Sequence, residues 1–321
     1  MVKKIFKWTG ILVLSAIIVL LIVVQFLHKR TFDAPYPDIT ASSDSATIAR
    51  GKYLVYGAAH CADCHSPQGT EAEVDAGNVV PLSGGRVFSI PPGELYTPNL
   101  TPDPTGIGNL KDQEIARALR YGVSSKGTAL FDFMPFHNTS DEDLRAIISY
   151  LRSTEPVKNI VPENKYSLLG KVLKSFVIGP VGPSQEIPRD MKPDSSIEYG
   201  KYLAVSVANC RGCHTDRDLK TGAFVGKEYA GGFELESQVD KNYLFYSPNI
   251  TPHPSTGKMF GWTEEQFIAR FRKGKVHPES PMPWGPFSRL DEMELKAIYR
   301  FLQTIEPVDK TIAMTFRKKE G

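Results

Sequence analysis

Cys61-Ala62-Asp63-Cys64-His65 recurs in this chain as Cys210-Arg211-Gly212-Cys213-His214, and the two stretches use all four cysteines of the 321 residues. The surrounding sequence repeats with them. Arg50-Gly51-Lys52-Tyr53-Leu54 returns as Tyr199-Gly200-Lys201-Tyr202-Leu203, and Gly84-Gly85 as Gly231-Gly232. Thr97-Pro98-Asn99-Leu100-Thr101-Pro102 returns as Ser247-Pro248-Asn249-Ile250-Thr251-Pro252. Met134-Pro135 matches Met282-Pro283, and Glu155-Pro156-Val157 matches Glu306-Pro307-Val308. Shared order and near-constant offset identify one module written twice, over 46–157 and 197–308.

Each copy reads as helix, helix, loops, helix, helix. Lead-in helices are expected at 46–57 and 197–209, a second pair at 112–121 and 263–273, and a last pair at 140–152 and 291–304. Thr263 with Gln266, Ser140 with Asp143, and Asp291 with Glu294 have the spacing of helix caps. In the last pair Leu144, Ile147, Ile148 and Leu151 share a face, repeated by Leu295, Ile298, Tyr299 and Leu302. Gly and Pro total 50 residues, concentrated in long loops. Such loops are unusual in a compact domain unless something fills the space they enclose.

The amino terminus differs in kind. Residues 8–27 carry no charge, and at ~1.5 Å per residue they span roughly 30 Å, a bilayer core. No small-x-small cleavage site follows, so an uncleaved anchor is expected, with a cleaved signal peptide as the alternative. Lys3, Lys4 and Lys7 favour a cytoplasmic amino terminus, against Lys29 and Arg30 beyond the apolar run. Everything after residue 31 then lies outside the cytoplasm. The resulting division is 1–30 anchor, 31–157 first domain, 158–196 linker and 197–321 second domain. In the linker, Leu168 to Ile178 is apolar enough to pack onto a neighbouring module; alternatively, Lys171 and Lys174 touch anionic lipid. Without residues 1–30, 33 basic residues face 36 acidic ones, which argues against nucleic-acid binding.

Cys-x-x-Cys-His is the attachment signature of c-type haem. Two thiols add across the two vinyl groups of one porphyrin edge, and the adjacent His reaches the iron. A redox dithiol needs no following His and sits in a βαβ pattern, absent here. A zinc site needs four clustered ligands; the first copy could recruit His60 or His137, but the repeat offers no matching pair. Two covalent haems are therefore expected, on Cys61, Cys64 and His65 and on Cys210, Cys213 and His214. Met134 is the single methionine between 31 and 190 and lies 69 residues after His65; Met282 lies 68 after His214. Their matched positions nominate both as sixth iron ligands, ahead of the unaligned His137 and His277. Six-coordinate iron leaves no open site, and a thiolate-ligated catalytic haem would need a fifth Cys. The expected work is electron transfer rather than catalysis.

The modules resemble class I cytochromes c. The run from Thr97 to Gly108, with Gly84-Gly85 before it and Met134-Pro135-Phe136 after it, resembles the cytochrome c subunits of membrane-bound quinoprotein and flavoprotein dehydrogenases. The resemblance implies an all-α tandem pair of cytochrome c domains behind one transmembrane helix. It implies Asn99 and Asn249 near the haem edge, where a turn role in a Pro-rich loop is the alternative. It also implies a single-pass protein of the bacterial cytoplasmic membrane with periplasmic haem domains. Such a protein would pass single electrons from a dehydrogenase or quinol-oxidising complex to a terminal acceptor. A dihaem subunit of a terminal oxidase is the alternative, and a dihaem peroxidase a more distant one. Finally, Arg270, Lys273 and Lys275 are basic only in the second copy. They are expected either to guide an acidic partner or to be an ordinary helix end, while Arg272, which aligns with Arg120, is expected to serve the fold, with a haem propionate as the group it could face.

Overall fold

A computed structural model describes residues 2–218, 223–237 and 240–319. Helix α1 (Val2–Leu27) is followed by α2 (Ser45–Tyr56), α3 (Cys61–His65), α4 (Glu71–Ala76), β1 (Val87–Ile90), β2 (Gly93–Tyr96), α5 (Asp112–Tyr121) and α6 (Asp141–Ser153). Then come β3 (Lys165–Tyr166) and α7 (Leu168–Phe176). The second repeat holds α8 (Ile197–Tyr202), α9 (Cys210–His214), β4 (Glu234–Glu236), β5 (Tyr243–Tyr246), α10 (Glu264–Arg272), α11 (Trp284–Ser288), α12 (Glu292–Leu302) and β6 (Phe316–Lys318). The expected helices are all present, with 203–207 wound as a π-helical turn continuing α8.

The all-α expectation needs correction. Each repeat adds a three-stranded antiparallel sheet, β1-β2-β3 and β4-β5-β6. The strands run for only two to four residues, too short to show a period-two pattern. The third strand of each sheet comes from outside the repeat, from the linker and from the carboxy-terminal tail.

In each repeat the lead-in helix crosses the last helix at very close range, and a repeated glycine explains it. A Cβ on Gly51 would stand 1.9 Å from the Ala146 carbonyl oxygen, and one on Gly200 1.9 Å from that of Ala297. Only a residue without a side chain admits this approach. Around the crossings lies one continuous apolar core drawn from both repeats, including Leu54, Leu144, Ile148, Leu203, Leu295 and Ile298.

The halves are joined about an approximate two-fold relation. The Tyr53 hydroxyl accepts from the Asp291 backbone N–H at 2.7 Å and donates to Glu294. Its counterpart Tyr202 accepts from the Ser140 N–H at 3.1 Å and donates to Asp143 at 2.8 Å. Arg50 bridges both carboxylates, at 2.9 Å to Asp143 and 3.3 Å to Glu294. Two of the three expected caps form as read. Thr263 and Gln266 make a reciprocal capping box, and the Ser140 hydroxyl accepts from the Asp143 N–H. Asp291 makes no side-chain cap; its N–H is taken by Tyr53 instead.

Helix α1 is exposed along its length apart from Val24 and is apolar enough to cross a membrane. Helix α7 packs against its last turns: Lys171 donates to the Gln25 side chain at 2.8 Å and Ser175 to the Val24 carbonyl at 3.4 Å. Lys174 turns inward to the Ala129 carbonyl at 2.6 Å, so it is not presented to lipid.

Candidate haem sites

The two Cys-His motifs form single-turn helices, α3 and α9, each entered through a left-handed residue, His60 (φ 36°) and Asn209 (φ 51°). Asn209 stabilises its αL position by accepting from the Gly212 N–H at 3.1 Å. His60 instead sets its ring edge-on to Phe287 of the other repeat, 5.5 Å between centroids. The histidines of both motifs are buried, and both are held in the same way. The His65 Nδ1 meets the Pro98 carbonyl at 3.0 Å, and the His214 Nδ1 meets that of Pro248 at 3.0 Å. Because a carbonyl only accepts, Nδ1 carries the proton and Nε2 is the lone-pair nitrogen. Among the described residues no hydrogen bond engages Nε2 of either ring. Burial lowers both imidazole pKa values and keeps the rings neutral, as iron ligation requires.

The Gly-Gly pair completes the clamp. Gly84 and Gly231 donate their N–H groups to the carbonyls of His65 and His214, at 2.8 and 2.7 Å. Both are left-handed, and a Cβ on either would lie 2.4 Å from a carbonyl oxygen of the Pro-Asn loop. The asparagines of that loop are structural. Asn99 donates to the Val157 carbonyl and Asn249 to that of Val308, both at 2.8 Å, while their oxygens receive the N–H of Thr101 and Thr251. These bonds show the loop role expected for Asn99 and Asn249. They also explain why Glu-Pro-Val repeats: the valine carbonyl anchors the loop that holds the histidine.

Met134 and Met282 are half-buried against the core. Each carbonyl accepts from the N–H two residues on, at 2.9 and 2.7 Å, and each Met-Pro turn leads into a short helix. The competing histidines are otherwise engaged. His137 points Nδ1 at the Arg120 carbonyl (2.8 Å) and Nε2 at Asp132 (2.9 Å), leaving neither nitrogen for iron. His277 is exposed and stacks on Phe316.

Cys61, Cys64 and Cys210 are half-buried, and Cys213 is the most open of the four. Desolvation pushes the thiols of Cys61, Cys64 and Cys210 up to about 12. A thioether carries no such proton and meets no such cost. The Tyr229 hydroxyl, whose phenol feels Cys210, is buried without a hydrogen-bond partner among the described residues. Among the described residues no group of three His, Cys, Asp or Glu side chains could hold a metal ion. Paired thiols, a tautomer-fixed neutral imidazole, an apolar surround and an orphaned hydroxyl fit a covalently held haem.

The sites are crossed between repeats. Helix α4, following the first motif, packs on α11, which follows Met282: Gly285 sits against the Asp75 backbone, and Arg289 donates to the Tyr56, Val74 and Asp75 carbonyls. Reciprocally, Thr139, following Met134, donates to the Ser206 carbonyl just before the second motif at 2.9 Å. This crossing was not legible in the sequence. Nor was the use made of the basic strip. Lys275 pairs with Asp75 at 2.6 Å, and Arg270 lies 3.5 Å over the Trp284 ring, leaving Lys273 as its one exposed cation without such a contact among the described residues. Arg120 is taken by Asp141 and the Thr139 carbonyl, and Arg272 binds the Ser288 carbonyl. Both therefore serve the fold.

Comparison with known proteins agrees with this chemistry. Residues 48–155 match the family model for cytochrome c. The chain is 27% identical over 285 residues to the fructose dehydrogenase cytochrome subunit of Gluconobacter japonicus, covering 84% of this chain and 55% of that one. It is 28% identical to the cytochrome c subunit of the alcohol dehydrogenase (quinone) of Gluconobacter oxydans, covering 73% and 48%. It is 29% identical to a diheme cytochrome c-type protein of Cereibacter sphaeroides, covering 81% and 86%. The chain spans about half the length of these two dehydrogenase subunits. Residues 48–155 thus carry a cytochrome c domain, a family that implies covalently bound haem, and the chain as a whole is similar to cytochrome c subunits of dehydrogenases and to a diheme cytochrome c.

Proposed function

We propose that this protein is a membrane-anchored, periplasmic dihaem cytochrome c that relays single electrons from a dehydrogenase to a terminal acceptor. Its parts are an anchor at 1–30, cytochrome c domains at 31–157 and 197–321, and a linker at 158–196. The observation that carries the reading is the duplicated histidine clamp, Nδ1 to a proline carbonyl at 3.0 Å in both repeats. Two haems are held, through Cys61 and Cys64 and through Cys210 and Cys213. His65 and Met134 ligate the first iron, and His214 and Met282 the second. Haem supplies a reversible one-electron change at iron.

The protein residues set the conditions for that change. The clamp fixes each imidazole so that little reorganisation accompanies the change of charge. The Met-Pro turns fix the sulfur-bearing side, and the core excludes water. Cross-packing of the segments beside each Cys-His motif on the segment that follows the other repeat's methionine supports passage between the two sites. The named dehydrogenase subunits support a dehydrogenase as donor, and α1 supports attachment to the membrane.

The test is to purify the full chain in mild detergent, weigh it intact, stain it for covalent haem and identify the bound subunits. A mass carrying two haems with a dehydrogenase attached is expected. A mass with one haem or none defeats the dihaem reading. Attachment to an oxidase alone would favour the alternative placement.

A further inference from the structure

The outer face of α7 is apolar and bare. At 3.6 residues per turn, Leu168, Leu169, Val172 and Phe176 fall within an arc of about 100°. Leu168 is 59% exposed, Leu169 38% and Phe176 52%, and Val177 just beyond is 58% exposed. Gly170 and Lys174 are buried on the opposite face, and Leu173 and Ser175 are buried on its two flanks. The helix is therefore amphipathic in the unusual sense: its lysines are used inward or along its side, and its large apolar side chains, apart from the buried Leu173 and the half-buried Val172, point away from the protein.

Its position supplies the reason. The helix touches α1 at Val24 and Gln25, and Val24 is the buried residue of α1. Val24 precedes the end of α1 at Leu27 by three residues, about 5 Å along the axis. Arg30, just beyond, donates to the Ile178 carbonyl at 3.3 Å, so both ends of the contact are fastened. If α1 spans the bilayer, α7 is held where hydrocarbon gives way to headgroups. Amphipathic interfacial helices bury their apolar face about 5–10 Å into that boundary.

We propose that α7 lies on the membrane with Leu168, Leu169, Val172 and Phe176 in the acyl–headgroup boundary, as a second attachment beside α1. The occupant of this face is lipid, because the face is continuous with a membrane-spanning segment and offers no charge to a redox partner. The attachment orients the first repeat. Lys174 ties α7 to Ala129 and lies 5.9 Å from the Phe131 ring, on the strand of chain leading to Met134. The Met134 side of the first repeat is thereby kept next to the membrane. The inference rests on the anchor reading above.

The experiment places a photoactivatable benzophenone amino acid, one position at a time, at Phe176, at Leu169 and at Ile18 in the full chain in native membranes. Irradiated protein is then analysed by mass. Phospholipid adducts at all three positions are expected. A lipid adduct at Ile18 with none at Phe176 or Leu169 overturns this proposal and leaves the anchor intact. A protein adduct in place of lipid at Phe176 and Leu169 also overturns it, assigning the face to a partner subunit. Absence of a lipid adduct at Ile18 defeats the anchor reading itself. Two label positions on α7 guard against one substitution disturbing the helix, and covalent haem content checks folding in each variant.

Discussion

Tyr53 of the first repeat donates its hydroxyl to Glu294 of the second, a carboxylate with no solvent exposure. Tyr199 donates to the same group at 2.8 Å, and Arg50 adds its charge. The relation is returned by Tyr202 to Asp143. Burial and the Glu294 carboxylate push the Tyr53 phenol up and keep it a donor. The repeated Lys-Tyr-Leu thus marks a join between repeats rather than a haem contact.

Removing the cation from this join should cost more than removing a hydroxyl. Arg50→Leu leaves Asp143 and Glu294 buried without their shared positive charge. A loss of about 3 kcal/mol is expected, at the low end for a broken buried pair because Arg50 is partly open to water. Tyr53→Phe removes two hydrogen bonds, one to a carboxylate that keeps two other partners and one from the Asp291 N–H, and should cost about 2 kcal/mol. Guanidinium unfolding of both holoprotein variants measures the difference; equal or negligible losses would show the join to be passive.

Gly51→Ala and Gly200→Ala set two effects against each other. In a helix interior Ala is favoured over Gly by about 1 kcal/mol. Here the new methyl would meet a carbonyl oxygen at 1.9 Å, so the helices must separate, and overpacking costs about 1–3 kcal/mol or more. Net destabilisation is expected at both positions, with reduced yield of haem-loaded protein. A gain in unfolding midpoint would contradict the crossing.

Met134→Ala and Met282→Ala should each remove the sulfur-to-iron charge-transfer band of one oxidised haem and lower its potential. Each should also admit an external ligand such as imidazole at one site. Redox titration with absorption spectroscopy reads both effects. Unchanged spectra in either variant would return the search to another ligand.

The helices, the motifs and the duplication were legible because each leaves a local pattern: a period, a cap, a fixed spacing. What the sequence hid is relational. The sheets were missed because their strands are short and take their third member from outside the repeat. The role of Asn99 depended on Val157, 58 residues away. The basic strip read as free charge because nothing near Lys275 in sequence reveals Asp75, 200 residues earlier.

That pair makes its own prediction. Lys275→Glu should weaken the contact between repeats by about 0.5–1 kcal/mol, since both side chains are partly exposed. Lys273→Glu, on an exposed residue, should leave stability unchanged. High salt should shrink the difference between the two variants. If stability is the same in both at low salt, the Lys275–Asp75 pair contributes nothing.

The Met134 segment carries a clasp of its own. His137 and Asp132 meet at 2.9 Å across the four residues that include Met134. Both ring nitrogens of His137 face acceptors, Asp132 and the Arg120 carbonyl, so the protonated ring satisfies both. Desolvation opposes that proton, but the two hydrogen bonds and the Asp132 charge outweigh it, and the pKa is raised. A raised folded-state value means that the clasp stabilises fully below the ordinary histidine value of about 6.5. Its contribution is lost as pH rises through the folded-state value. Imidazole should therefore displace the Met134 side of the first site faster as pH is raised from about 6 to 9. His137→Gln should flatten that dependence and leave the response at the Met282 site unchanged. An identical pH dependence in the variant would show that the clasp does not hold the loop.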